Sequence, residues 1–186
     1  MNKMQRAEAV LTDLGYHAST DYRVWIGCMG AYNGGDLVGD WIDAEDAHEM
    51  VGQLTAKWQE IGGYDWGDEW FIADHEGFGY AWPGGENPDL EALPELVWAL
   101  QEHGEALEAW LGGCQGREIG DFQDRYAGET DGNLKDWVWD WLEDTGYFAD
   151  WTQDQQFYFN IEAYTEDFKL QMEVIELNGT TYIFYP

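Results

Sequence analysis

The chain has 186 residues, of which 38 are acidic and eight basic, so its formal net charge is −30. Aromatic residues make up 17% of it, which excludes a disordered acidic tail because disordered segments are depleted in large apolar side chains. A surface of this charge repels nucleic acid and anionic lipid, and no run of 18 apolar residues is present to span a membrane.

Residues 21–80 are predicted to form an α+β domain, a small antiparallel sheet with one helix packed on it. Runs of β-branched and aromatic residues predict strands at 22–28, 36–42 and 69–74. Asp43 is expected to cap the helix, with Asp46 three positions later as in a capping box. The apolar residues of that helix recur at helical spacing: Ala47, Met50, Val51, Leu54, Trp58 and Ile61.

Residues 81–116 are predicted to form a helical middle domain. Asn87–Pro88 is expected to start a helix, because proline is favoured at the first helical position. Pro94 predicts a restart or kink, and Gly104 and Gly112–Gly113 predict breaks. The leucines of this segment are expected to point inward and its glutamates outward.

Residues 117–186 are predicted to form a third domain, again α+β. Asn133 is expected to cap an amphipathic helix that ends near Gly146, and a further helix is predicted near residues 157–167. Two strand-like runs then flank Asn178–Gly179, the strongest short-range signal for a β-hairpin. Residues 1–20 precede the three domains as an N-terminal extension of unknown role.

No catalytic or metal-binding pattern is present in the sequence. His17, His48, His75 and His103 lie in separate segments without zinc-ligand spacing, and no phosphate-binding glycine loop occurs. We therefore expect no catalytic residue, no metal and no cofactor. The Asp74–Glu76 triplet is interpreted as ordinary polar surface.

The two cysteines are too few for a disulfide framework. Cys28 is expected to be buried in a strand and Cys114 to lie in a loop. Together with a start that lacks the apolar core of a signal peptide, this predicts a cytoplasmic protein.

Three sequence stretches carry motifs in a fixed order. Residues 32–41 read Y-N-x-G-x-L-x-G-x-W, residues 69–78 read E-x-x-x-x-D-x-E-G-F, and residues 122–129 read F-x-x-x-Y-x-G-E. With this order and this charge, the chain resembles the ArdA family of antirestriction proteins over roughly residues 22–185. The motif positions are Tyr32, Asn33, Gly35, Leu37, Gly39, Trp41, Asp74, Glu76, Gly77, Phe122, Tyr126 and Gly128.

The resemblance implies a DNA mimic rather than an enzyme. Proteins of this family are elongated, three-domain homodimers that occupy the DNA-binding groove of type I restriction–modification enzymes, at the methyltransferase core. They are carried by mobile genetic elements and evade host defence. We expect the same partners here, the restriction enzyme and a second copy of the chain, with dimerisation in the third domain and with no binding of nucleic acid or membrane.

The working parts of such a mimic would be carboxylates in rows on the surface. The expected rows are Asp43, Asp46, Glu49 and Glu60; Glu91, Glu95, Glu102, Glu105 and Glu108; and Asp136, Asp140, Glu143, Asp144 and Asp150. A dimer with a charge of −60 would match the charge density of duplex DNA over about 100 Å. A compact globule of that size would measure only about 55 Å, so mimicry predicts an elongated dimer.

Two alternatives remain open from the sequence. The chain could inhibit another basic DNA-binding protein, such as a histone-like protein, or it could be a salt-adapted acidic domain whose exposed tryptophans bind carbohydrate.

Trp139 lies off the apolar stripe of its helix. It is expected either to lie across the edge of its own domain or to contact a dimer or binding partner.

Overall fold

The computed structural model describes residues 16–186, without the side chain of Tyr64. It divides into two compact units between Glu102 and His103. Seven helices and two three-stranded antiparallel sheets within the described residues confirm the predicted α+β class. Residues 1–15 of the predicted N-terminal extension lie outside the described residues, and the division into three domains stays a prediction.

The first unit is built on an antiparallel sheet with strand order β2-β1-β3. Its strands are β1 (Arg23–Cys28), β2 (Gly39–Asp43) and β3 (Trp70–Glu76), and a short helix α1 (Met29–Asn33) follows β1. All three strands were predicted to within three residues at each end. They form because β-branched and aromatic side chains pack well on a pleated surface.

Helix α2 (Ala47–Gly62) covers this sheet. Its predicted apolar face is confirmed, since Met50, Leu54 and Trp58 are all buried. The predicted cap is wrong. The Asp43 side chain makes no capping hydrogen bond, and a 3-10 turn (Ala44–Asp46) leads into the helix instead.

Helix α3 (Leu93–Gly113) begins later than the sequence predicted. Asn87–Pro88 is not helical. The carboxylate of Asp89 accepts the backbone N–H of Glu91 at 3.0 Å, and this cap opens a 3-10 turn that runs into α3. The predicted break at Gly104 is confirmed, because its φ of 57° and ψ of −142° are not helical.

The second unit contains the remaining helices and a sheet with strand order β4-β6-β5. The elements are α4 (Phe122–Arg125), β4 (Tyr126–Thr130), α5 (Leu134–Asp144), α6 (Gln153–Phe157), α7 (Ile161–Gln171), β5 (Glu173–Leu177) and β6 (Thr180–Phe184). The predicted hairpin is confirmed, since Asn178 and Gly179 take φ values of 50° and 92°, the positive pair that a type I′ turn needs.

The core of the second unit lies between α5, α7 and β6. Val138 and Leu142 from α5 meet Phe168 from α7 and Ile183 from β6. Phe148, from the loop after α5, completes this core. Helix α7 starts at Ile161 rather than near residue 157, because the side chain of Asn160 caps it.

Trp139 packs inside its own unit. Its ring lies 5.0 Å from the ring of Phe148 and 6.2 Å from that of Phe159, measured between centroids. This is the intramolecular contact that one of the two interpretations of Trp139 predicted.

Candidate acidic surface

Almost all acidic side chains of the described residues face solvent. Of 36 described Asp and Glu residues, 31 are exposed, four are half-buried and one is buried. Ionised carboxylates stay in water because burying an unpaired charge is costly. The surface charge is therefore nearly the full charge of the sequence.

Most basic side chains between residues 16 and 186 are engaged by carboxylates. Five of the six described Lys and Arg side chains form ion pairs. These pairs are Arg23–Glu76, Lys57–Glu60, Arg117–Glu173, Lys135–Glu162 and Lys169–Glu166. Each of these five positive charges is consequently neutralised by one carboxylate, and most of the other carboxylates keep their negative charge.

Most of the predicted row residues are exposed. Twelve of them have exposed side chains: Asp46, Glu49, Glu60, Glu91, Glu95, Glu102, Glu105, Asp136, Asp140, Glu143, Asp144 and Asp150. Glu108 is half-buried. Glu105 is held in place, since its carboxylate accepts hydrogen bonds from Asn178 at 2.9 Å and from the Tyr182 hydroxyl at 3.2 Å.

Asp43 does not belong to this surface, and its assignment to an acidic row is wrong. Only 6% of it is exposed. Its carboxylate accepts the backbone N–H groups of Ser19 and Thr20, both at 2.9 Å, together with their hydroxyls. Burial opposes ionisation, but these hydrogen bonds prevail and lower the pKa of Asp43 below its ordinary value.

Helix α5 holds the most regular row. Asp136, Asp140 and Asp144 follow one another at intervals of four residues, which is about 6 Å of helix rise. Asn133 fixes the start of this row, because its side chain accepts the N–H of Lys135 at 2.9 Å. Like charges at this spacing repel each other by a few tenths of a kcal/mol per pair.

Several motif residues stabilise the fold. A side chain at Gly39 would collide with the backbone of β1, and one at Gly128, where φ is 146°, would meet the ring of Trp137. Phe122 is buried, and the ring of Trp41 lies 5.2 Å below the guanidinium of Arg23. The two glycines let neighbouring elements approach closely, and the two aromatic residues pack within the fold.

Other motif residues are accessible. Gly77 forms a turn with a φ of 88°. Asp74, Glu76, Asn33 and Gly35 are exposed. Tyr32 and Leu37 also present large apolar side chains to solvent.

One feature of the second unit, an open groove of about 460 Å³, was not predicted from the sequence. The groove is lined by Trp151, Asp154, Gln155, Tyr158, Phe159 and Asn160. The run Phe157–Phe159 was the available signal, because three consecutive aromatic side chains at the end of a short helix cannot all face the core.

Between residues 16 and 186, no helix is both long and apolar enough to cross a bilayer. No group of three or more His, Cys, Asp or Glu residues is placed there to hold a metal ion.

Comparison with known proteins identifies the family of the chain. The family model described as antirestriction protein (ArdA) matches residues 24–183. The chain matches no curated protein sequence. The family match spans both structural units and includes all three motif stretches.

Proposed function

Because this chain belongs to the ArdA family of antirestriction proteins, we propose that it inhibits type I restriction–modification enzymes by mimicking B-form DNA. Its exposed carboxylates would occupy the places of DNA phosphates in the DNA-binding groove of the methyltransferase core. The observation that carries this proposal is the distribution of charge: 31 exposed acids, while five of the six described bases are already paired.

The charge of each unit supports the proposal quantitatively. The sequence up to Glu102 holds 20 acidic and four basic residues, a net charge of −16, and the sequence from His103 holds 18 and four, a net charge of −14. A compact unit of either size has a diameter of about 30 Å. Duplex DNA carries about 18 charges over that length, so each unit approaches the charge density of DNA.

No single helix is sufficient for this match. Helix α5 is about 16 Å long and carries four acidic residues and one lysine. Duplex DNA of that length carries about nine charges. Carboxylates from several elements of a unit must therefore act together, and removal of one exposed acid should change affinity only slightly.

The proposal also covers the assembly and the setting of the protein. As in the family that the sequence resembles, it would act as a homodimer, with the contact in the third predicted domain. It would act in the cytoplasm on behalf of an incoming mobile element. The carboxylates would meet lysine and arginine side chains of the enzyme, so no cofactor and no nucleic acid would take part.

A displacement assay tests this proposal. A type I methyltransferase is bound to a labelled duplex that contains its recognition site, and the full chain is titrated in. We expect displacement of the duplex that weakens as salt rises, because ionic contacts between exposed groups are screened. Absence of displacement by a large excess of folded protein would overturn the proposal.

The matched controls concern charge and partner. An uncharged protein of similar size should leave the duplex bound. A histone-like protein and an RNA polymerase, each bound to the same duplex, test the broader inhibitor alternative. Equal displacement from all three would show an inhibitor of basic proteins in general.

A further inference from the structure

The groove beside helix α6 has one wall that is held by aromatic packing and one wall that is exposed to solvent. Its inner wall is fixed, because the rings of Trp151 and Phe159 pack nearly perpendicular at 5.5 Å and Trp151 also contacts the core residue Phe148 at 5.3 Å. Its outer wall is Tyr158, which is 81% exposed. Three aromatic rings thus border one depression that is open to solvent.

The polar groups of the groove are not equally available. The side-chain oxygen of Gln155 already accepts the N–H and the hydroxyl of Thr152, at 2.9 Å and 3.1 Å. The oxygen of Asn160 accepts the N–H of Ala163 at 3.1 Å. Among the described residues, no ion pair or side-chain hydrogen bond engages the exposed carboxylate of Asp154. The main available acceptor of the groove is therefore an anion.

This chemistry selects the class of ligand. A cation over the face of Trp or Tyr is attracted by the ring, and Asp154 adds a charge partner at the same place. The net charge of −14 on this unit disfavours anionic ligands. A neutral sugar would need several hydrogen-bonding partners, and two of the three polar side chains already cap helices.

We propose that this groove receives an arginine side chain of the protein that the acidic surface binds. The planar guanidinium would stack between Tyr158 and Trp151 while its N–H groups donate to Asp154. The inference rests on the proposed function for the identity of the partner, the restriction enzyme. It adds a specific pocket to a surface that otherwise acts through many weak charge contacts.

The binding step is tested without the restriction enzyme. Nα-acetyl-arginine methylamide is titrated into the full chain, and NMR follows the indole N–H of Trp151. We expect a saturable shift, and none with the citrulline analogue, which has the same shape but no charge. Tyr158→Ala should weaken binding about two- to fivefold, and Asp154→Asn by a similar factor.

The chain offers matched controls. Leu170 on α7 is 86% exposed and does not line the groove, so Leu170→Ala should change the dissociation constant less than the Tyr158 variant. Asp150→Asn removes an exposed charge nearby without touching the groove. Equal effects of Tyr158→Ala and Leu170→Ala, or of Asp154→Asn and Asp150→Asn, would overturn the proposal.

The other possible occupants give different results. A saturable shift with chitotetraose and none with the arginine ligand would show a sugar site. A Trp151 shift that depends on protein concentration alone would show a second copy of the chain in the groove. Either result overturns the inference.

The duplex-displacement assay then links the groove to the enzyme. Tyr158→Ala should displace less duplex than Leu170→Ala at equal concentration. If the two variants displace equally while the wild type displaces well, the groove is not part of the contact, although the proposed function holds. If the wild type displaces nothing, the proposed function itself fails.

Discussion

Thr20 and Asp43 are joined twice: the backbone N–H and the hydroxyl of Thr20 both donate to one carboxylate oxygen, each at 2.9 Å. Asp43 is therefore an internal anchor for the segment that precedes β1, whereas most other acids of the described residues face water. Tyr16 strengthens this anchor, because its hydroxyl accepts the N–H of Asp43 and donates to Asp46, both at 2.9 Å.

Replacement of this anchor should destabilise the first unit. Asp43→Ala leaves the N–H groups of Ser19 and Thr20 without their acceptor, so we expect a loss of about 1–3 kcal/mol in the free energy of unfolding. Glu45→Ala, an exposed acid two residues away, should change it by less than about 0.5 kcal/mol. Urea titration followed by circular dichroism measures both. Equal effects of the two variants would contradict the anchoring role.

The contribution of Asp43 should depend on pH. Its folded-state pKa is lowered, so between that pKa and the ordinary value near 4 the unfolded chain binds more protons than the folded one. The stability from Asp43 is thus present above pH of about 4 and is lost as the pH falls through the folded-state pKa. We expect the stability difference between wild type and Asp43→Asn to shrink over that range. A difference that stays constant down to pH 2 would contradict this.

The acidic row on α5 should lower the stability of the folded protein but strengthen its binding to the methyltransferase. Asp140→Asn with Asp144→Asn removes two like-charge pairs and an acid at the helix C-terminus, which should raise the free energy of unfolding by about 0.5–1 kcal/mol. The same variant should displace DNA from the methyltransferase about two- to tenfold less well. A denaturation assay and a displacement assay on one preparation test the predicted gain in stability and the predicted loss of displacement.

A matched double variant lies on α7. Glu162 and Glu166 are ion-paired with lysines, at 3.3 Å and 2.8 Å. Their replacement by Gln removes the same formal charge but should not stabilise the protein, and it should reduce displacement less. Identical behaviour of the two double variants would show that only net charge matters.

Two glycines of the first unit should respond in opposite directions. Gly39→Ala places a methyl group against the backbone of β1, so we expect a loss of about 1–3 kcal/mol. Gly52→Ala, at an open position inside α2, should stabilise the protein by about 0.5–1 kcal/mol. Thermal unfolding distinguishes them. A stable Gly39→Ala protein would contradict the close packing of β1 and β2.

Local patterns predicted those elements whose causes are local. The hairpin turn follows from Asn178–Gly179, because few residues other than Asn and Gly adopt positive φ, and the face of α2 follows from the spacing of its apolar residues. Strand β4 (Tyr126–Thr130) escaped prediction, because it is short, contains a glycine and exists by pairing with β6, some 50 residues away.

The candidate site shows the same limit. Exposure of most row residues could be predicted, since an unpaired acid belongs in water. The burial of Asp43 could not, because its partners lie more than 20 residues earlier and a lone aspartate before a helix normally signals a cap. The groove at Tyr158 depends on the fold of the α6 segment, which charge and periodicity alone do not specify.

The pairing of nearly every described base with its own acid has a thermodynamic consequence. The remaining carboxylates must collect an atmosphere of potassium, sodium or magnesium ions, as a nucleic acid does. A basic partner that docks on them sets those ions free, so association would be driven largely by the entropy of ion release and would produce little heat. Calorimetry of the complex should therefore show a favourable entropy that declines as the cation concentration of the buffer increases.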